Sequence, residues 1–345
     1  MALRALILQG AAARLADLRT VSREPLFGLY ILGHFTTTIA FWMQRIAVGW
    51  LAWRLTESES WLGIIAFAEL FPSILSSLVG GELADRFPRP RVMFFCQGGV
   101  ALVSALLAFG HAFALLNITL LAGIMILLGV IGGMMLPARL AMPGLLVRPE
   151  LLPSALALNS STFNLSRLIG PALAAPLLLI GNGAAVFFCA LAANLTFFLL
   201  LWRISTRNRR HRGPRASDGF LRILRDLFRA SDLRAVIALQ FAQGALIRPA
   251  SELFPAFSDK VFSAGASGLS ILNAAVGVGA IIGALTLSRP RADRDALRVI
   301  LSSSAVLCAS LAAFGAAWSF WPAAALMVLY GVTISASNTV ALAYV

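Results

Sequence analysis

Apolar residues fall into ten long blocks along the chain, and short segments between the blocks carry most of the charge. Each block is close to the roughly 20 residues that a helix needs to cross the hydrocarbon of a bilayer. The blocks are too long and too continuous for strands of a membrane barrel, in which apolar and polar residues alternate. The pattern predicts an all-α polytopic membrane protein with helices at 27–53, 61–81, 92–113, 116–137, 155–180, 184–203, 234–256, 267–288, 297–317 and 320–343.

The longest polar stretch, residues 204–233, separates six of these blocks from the remaining four. An arginine-rich cluster opens this stretch, and an apolar stripe from Gly219 onward predicts an amphipathic helix on the membrane surface. We therefore expect a cytoplasmic tail at 1–26, a six-helix bundle at 27–203, a cytoplasmic linker at 204–233 and a partial four-helix bundle at 234–345.

Composition and charge support a membrane location. The chain is 59% hydrophobic and 12% charged, whereas an average soluble domain carries about 25% charged residues. The net charge of +13 does not indicate a nucleic-acid partner, because the basic residues lie in short segments between apolar blocks. They are typical of orientation signals and of contacts with anionic membrane lipids.

The distribution of basic residues predicts the orientation. If the N-terminus is cytoplasmic, the inner segments hold nearly all of them, and the outer segments hold only Arg54 and Lys260. This asymmetry is the one expected for a bacterial inner-membrane protein. Arg139 is assigned to the inner segment after block four, so block four itself is expected to carry no arginine.

The segment after block two contains a motif with a known counterpart. Residues 80–91 read GGELADRFPRPR, which resembles the signature between helices two and three of the major facilitator superfamily. The matching positions are Gly81, Leu83, Ala84, Asp85, Arg86 and Arg89, and Arg91 supplies the last charge. We expect Gly81 to allow close helix contact, Asp85 to cap or face a helix N-terminus and the motif to latch one conformation. A weaker repeat of the motif follows block eight, and in it Gly283 corresponds to Gly81.

A second stretch narrows the resemblance. The region of blocks four and five is similar to the enterobactin-exporter-like branch of the superfamily, that of the transmembrane secretion effectors, at Pro137, Arg139, Pro143, Asn159, Arg167 and Gly170-Pro171. The resemblance implies a two-bundle fold with alternating access. It also implies proton-driven export of a small amphipathic compound of the drug or siderophore type.

Two departures from the superfamily affect these expectations. The superfamily has twelve helices, and this sequence reaches Val345 in or just after the tenth block, which indicates either a fragment or a shortened member. The missing arginine in block four also sets the chain apart from many proton-coupled drug exporters.

Five ionisable residues fall at membrane depth, where a charge costs about 2.5–3.5 kcal/mol and marks a candidate functional site. Arg45 and Glu69 lie at similar depths on sequential helices, so we predict that they pair. Glu69 is the candidate proton-binding carboxylate, and Arg45 tunes it or holds an anionic substrate. The alternative is a purely structural ion pair.

The other membrane-depth charges are Arg248 and Glu252 in block seven and Arg167 in block five. Arg248 and Glu252 are four residues apart and are predicted to share a helix face, although Pro249 between them should loosen the helix. Arg167 is a candidate for binding an anionic group, or else a structural partner for Glu69 or a carbonyl group.

One face of block one is a candidate cavity wall. His34, Thr38, Phe41 and Arg45 follow one another at helical spacing. His34 is a candidate for the proton pathway, and the alternative is that it is a packing residue. The three cysteines fit no metal-binding pattern and are assigned no role.

The expected function is proton antiport of a small-molecule substrate. The alternatives are a truncated, non-transporting membrane protein and an uncoupled facilitator. The sequence contains no nucleophile–base pair and no phosphate-binding loop, so we expect no enzyme, no cofactor and no metal. The expected partners are the substrate, protons and membrane lipids, with the protein acting as a monomer.

Overall fold

The computed structural model describes residues 20–21, 24–207, 248–287 and 293–344, and within those ranges the side chains of 207, 248–249, 284–300 and 338–344 lie outside the description. In these ranges the backbone is helical and contains no strand. The helices are α1 (Pro25–Thr56), α2 (Glu59–Arg86), α3 (Arg89–Ala112), α4 (Ile118–Leu146), α5 (Leu152–Leu179), α6 (Gly183–Arg207), α7 (Phe254–Ala256), α8 (Gly265–Leu287), α9 (Asp293–Gly315) and α10 (Phe320–Tyr344).

The all-α prediction is confirmed. Eight of the described helices are long and apolar enough to cross a membrane: α1 to α6, α8 and α10. The apolar part of α9, Leu301–Gly315, is shorter. Most of block seven and the whole predicted amphipathic linker helix fall outside the described residues.

Block seven ends in an irregular segment, Arg248–Val261. It consists of a 3-10 helix at Arg248–Leu253, the short α7, and a π-helix at Phe257–Val261. Pro249 and Pro255 lack the N–H group that a regular helix needs at their positions. The loosening expected at Pro249 is therefore present.

Helix α4 corrects the prediction for block four. The block was expected to end at residue 137, but α4 continues through Pro137 and Pro143 to Leu146. Prolines are tolerated in membrane helices because neighbouring groups can satisfy the freed carbonyls. Arg139 therefore lies inside α4, and the expectation that this helix carries no arginine is wrong.

The signature motif is mostly helical rather than a loop. Helix α2 extends to Arg86, and α3 begins at Arg89, so only Phe87 and Pro88 connect them. Pro88 occupies the N-cap of α3, and no side chain caps this helix. Asp85 therefore does not cap α3, and its side chain is exposed at the end of α2.

The helices are grouped into two compact units. Unit 1 contains 1–41, 68–166 and 187–215, and unit 2 contains 42–67, 167–186 and 216–345. The boundary at 41/42 falls within α1, so the first part of this helix belongs to unit 1 and the second part to unit 2. The predicted division of the sequence into two bundles stays a prediction.

A buried polar network connects three helices of unit 1. The Gln97 amide of α3 donates to Asn194 Oδ1 of α6 at 3.0 Å, and the Asn194 amide donates to Ser104 Oγ at 2.9 Å. The Thr37 hydroxyl of α1 donates to the same Asn194 oxygen. Because an unpaired amide in an apolar interior is costly, these hydrogen bonds fix how the three helices are rotated against each other.

Helices α2 and α4 cross at closely packed backbones. A Cβ atom at Gly80 would overlap the backbone of Met134, and one at Gly133 would overlap the carbonyl oxygen of Ser73. Gly81 would meet nothing within 4 Å. Gly81 was predicted to allow this close contact, but Gly80 does so, because consecutive residues point about 100° apart around a helix.

Helices α8 and α10 of unit 2 repeat this crossing. A Cβ atom at Gly283 would overlap Val332, and one at Gly331 would overlap the carbonyl oxygen of Val276. The overlaps correspond in order and spacing to those of Gly80 and Gly133, which makes Gly283 the equivalent of Gly80 rather than of Gly81. An internal structural repeat is typical of transporters.

Alanine at Gly133 should destabilise the protein, because the new methyl group would separate α4 from α2. We expect a cost of roughly 1–3 kcal/mol, measured as a lower thermal midpoint in detergent. Gly132→Ala is the matched control, since a Cβ atom there meets nothing within 4 Å and removing a helical glycine stabilises by about 1 kcal/mol. Equal midpoints for the two variants would contradict the assigned contact.

Candidate functional site

The second part of α1 presents one face to the rest of unit 2. Trp42, Arg45, Gly49 and Trp53 follow one another at three- and four-residue spacing, which places them on one side of the helix. A Cβ atom at Gly49 would lie 3.5 Å from Pro255 Cγ, an ordinary van der Waals distance. This face of α1 therefore packs against the Arg248–Val261 segment.

An ion pair joins the two elements at the centre of this face. Arg45 Nη2 donates to Glu252 Oε1, and the side chains of Arg45 and Glu252 are 33% and 22% exposed. The 3-10 geometry of Arg248–Leu253 positions Glu252 against α1. Since both groups are mostly withdrawn from water, the pair interacts more strongly than one on a solvated surface.

Arg167 reaches the same face of α1 from α5. Its guanidinium carbon lies 5.2 Å from the centre of the Trp42 ring, within the range of a cation–π interaction. Three of the predicted candidates, Arg45, Arg167 and Glu252, thus meet along α1. We call Trp42, Arg45, Arg167 and Glu252 the charged cluster.

A second group of contacts lies about two turns beyond Arg45 along α1. The Trp53 indole N–H donates to Asp259 Oδ2 at 2.8 Å, and Lys260 Nζ lies 4.7 Å from the centre of the Trp53 ring. Lys260 also pairs with Glu59 Oε1 at 2.9 Å and donates to the carbonyl of Glu57 at 3.2 Å. We call Trp53, Asp259, Lys260 and Glu59 the rim cluster.

Arg45 was predicted to pair with Glu69, because the two residues lie at similar depths. The structure pairs Arg45 with Glu252, and a contact between Arg45 and Glu69 stays a prediction. Glu69 lies at the α2–α4 crossing, with its backbone carbonyl against Gly129, and its proton-binding role stays a prediction.

Arg248 was predicted to share a face with Glu252. Its backbone lies in the 3-10 helix, but its side chain is outside the described side chains. The Glu252 carboxylate pairs with Arg45, and an additional contact between Glu252 and Arg248 stays a prediction.

The residues predicted to form a cavity wall on α1 lie in different environments. His34 is 3% exposed and stacks on Tyr30, with ring centres 5.6 Å apart. The Thr38 hydroxyl donates to the His34 carbonyl at 2.6 Å, and Phe41 is 37% exposed. A proton-pathway role for His34 stays a prediction, and its packing against Tyr30 supports the alternative.

The predicted latch residues lie at the junction of α2 and α3. Arg86 pairs with Glu82, one turn earlier on α2, at 2.5 Å, and both side chains are largely exposed. Arg91 is also exposed, whereas Arg89 is half-buried. The latch function itself stays a prediction.

Sequence reasoning missed Trp42, Trp53, Asp259 and Arg139. The spacing of Trp42 and Trp53 from Arg45 was a usable signal for the α1 face. Arg139 was hidden because Pro137 was interpreted as the end of its helix.

Comparisons with known proteins agree with the sequence resemblance. A family model described as transmembrane secretion effector matches residues 20–343. The chain is 29% identical over 306 residues to the enterobactin exporter EntS of Shigella boydii serotype 18 (strain CDC 3083-94 / BS512), covering 84% of this chain and 70% of the relative. The EntS of Escherichia coli O139:H28 (strain E24377A / ETEC) gives the same identity and coverage.

Among solved structures, the chain is similar in fold to a D-xylose-proton symporter. The TM-score is 0.53 with 13% sequence identity, and the match covers 94% of this chain and 81% of the symporter. At this identity, the likeness concerns the fold alone.

The Arg45–Glu252 pair should show energetic coupling. We expect Arg45→Gln and Glu252→Gln each to lower the thermal midpoint in detergent, and the double variant to lose less than the sum. The coupling should be about 1–3 kcal/mol, between the values for exposed and fully buried pairs. The control is the exposed Glu82–Arg86 pair on α2, for which roughly 0.3–0.5 kcal/mol is expected. Strict additivity at Arg45 and Glu252 would show that the pair contributes nothing.

Proposed function

Because the chain belongs to the transmembrane secretion effector family of the major facilitator superfamily, we propose that it exports a small amphipathic compound by alternating access. The family and its relatives make the chain a multi-pass membrane transporter rather than an enzyme. The drug or siderophore class of the substrate is inferred from the relatives, which are named enterobactin exporters.

The observation that carries the proposed mechanism is the Arg45–Glu252 ion pair. It joins the first membrane crossing to the segment that ends the seventh block. In a transporter whose bundles rock against each other, elements joined in this way must separate once in each cycle. The pair is therefore the proposed latch that closes one side of the transport path.

The rim cluster supports this assignment. The Trp53–Asp259 hydrogen bond and the Lys260–Glu59 ion pair join the same two regions near the end of α1. Each contact is moderate in strength, so the closed state can be opened without a large barrier. With the N-terminus in the cytoplasm, this end of α1 faces the outside.

Glu252 is the proposed carrier of the coupled proton. When the latch opens outward, Glu252 separates from Arg45 and takes a proton in its place. When the latch closes again, Arg45 returns and replaces the proton. The proton then leaves on the side that is open, the cytoplasmic side. One cycle would thus move a proton inward as a substrate leaves, and Glu69 stays a second candidate carboxylate.

The signature motif is proposed to latch the opposite face. Asp85 and Arg86 end α2 with exposed side chains, so they are accessible to a neighbouring helix in another conformation. Gly81, Arg89 and Arg91 complete the motif. In this proposal the protein acts as a monomer in the bacterial inner membrane, with basic residues contacting lipid headgroups at the cytoplasmic face.

Transport in inverted vesicles tests the function. The full chain is reconstituted with an acidic lumen, and uptake of ethidium and of enterobactin is measured separately. We expect accumulation of at least one probe, collapsing when the pH gradient is dissipated. Accumulation of neither probe would contradict an exporter of these substrate classes.

Glu252→Gln tests the coupling. The amide cannot ionise, so gradient-driven accumulation should fall to the level of empty vesicles, while downhill exchange of labelled for unlabelled probe should persist. Glu150→Gln, which removes an exposed carboxylate outside both proposed latches, should retain both activities. Full gradient-driven accumulation by Glu252→Gln would exclude Glu252 as the coupling carboxylate.

A further inference from the structure

A buried group of polar side chains lies in unit 1. Tyr30 and His34 come from the first part of α1, and Arg139 comes from α4. Tyr30 belongs to the same buried cluster as Ala138 and Met142, which lie on α4 beside Arg139. The first part of α1 and this part of α4 therefore contribute to one buried core.

Arg139 carries a positive charge without a counter-charge. The ion pairs of the described residues involve other groups, and none includes Arg139. Tyr30 and His34 both lie within its electrostatic reach, and neither is an anion under ordinary conditions. A guanidinium in an apolar setting is costly unless an anion compensates it.

Tyr30 provides an independent sign of a ligand. Its side chain is fully buried, and its hydroxyl has no hydrogen-bond partner among the described residues. Stacking on His34 and packing against Phe197, with ring centres 6.1 Å apart, hold the ring in place. An O–H donor kept unsatisfied in a packed interior is rare in proteins.

Arg139 is the more exposed of the two groups. Its side chain is half-buried, whereas that of Tyr30 is fully buried. Arg139 lies seven residues from the end of α4, which is roughly 10 Å along the helix axis.

We propose that Arg139 and Tyr30 form a binding site for an anionic oxygen group of the transported compound, with His34 positioning the tyrosine. The chemical class is a carboxylate or another singly charged oxygen anion on an amphipathic molecule. Arg139 supplies charge-assisted hydrogen bonds, and the Tyr30 hydroxyl donates one more. The proposal rests on the proposed export function, but it concerns binding and does not depend on proton coupling.

The test compares two fluorescent probes that differ only in charge. Dansylglycine carries a carboxylate, and dansylglycinamide is its neutral counterpart. Binding is measured by the rise in dansyl fluorescence with the full chain in phosphatidylcholine nanodiscs, without a pH gradient. Wild-type protein should bind the anion about tenfold more tightly, and Arg139→Gln should abolish the difference. Arg203→Gln, an equal loss of charge at an exposed site on α6, should leave it unchanged.

The Tyr30→Phe variant distinguishes a loss of binding from a loss of folding. The hydroxyl has no protein partner, so its removal should leave the thermal midpoint unchanged or raise it. The affinity for dansylglycine should still fall about three- to tenfold, with no change for the amide. A lower midpoint with unchanged affinity would overturn the site, because it would show that the hydroxyl serves packing.

Two further results would also overturn the proposal. One is equal affinity of wild-type protein for the two probes. The other is loss of the charge preference when phosphatidylglycerol is included in the nanodiscs, since this would assign the site to lipid phosphates. A preference for dansylglycine that persists in both lipids supports a substrate site. Because no gradient is applied, this outcome is independent of the transport assay with Glu252→Gln.

Discussion

Lipid as the surrounding solvent determines what can hold this protein together. Apolar side chains are as well solvated by acyl chains as by each other, so the hydrophobic effect gives membrane helices little reason to associate. Association then depends on close backbone contact and on polar side chains that find partners. The α2–α4 crossing at Gly80 and Gly133 supplies the first kind of contact, and the Gln97–Asn194–Ser104 network supplies the second.

Helix α1 connects these structural contacts to function. Its first part contributes Tyr30 and His34 to the core of unit 1, and its second part contributes Arg45 and Trp53 to contacts within unit 2. One continuous helix thus carries a candidate anion site and a candidate latch.

The sequence was sufficient to predict where most helices lie along the chain, but not how each helix is rotated about its axis. Long apolar blocks have few alternatives in a bilayer, which is why α1, α2, α3, α5 and α6 were predicted close to their observed ranges. The pairing of Arg45 with Glu252 was not predicted, because apolar blocks encode depth but not facing direction, and Glu252 comes from a distant part of the chain. Arg139 was missed because the predicted fourth block ended at Pro137, whereas α4 continues past it. A proline ends helices in water far more often than it does among packed helices in lipid.

The two glycine crossings also carry historical information. Gly80 and Met134 in one half correspond to Gly283 and Val332 in the other, and the Ser73–Gly133 contact corresponds to Val276–Gly331. Such agreement in register is what an ancestral gene duplication and fusion would leave behind, long after the surrounding side chains had diverged. The steric requirement at each crossing has outlasted the sequence similarity, so these positions are fixed landmarks for aligning the halves of distant paralogues.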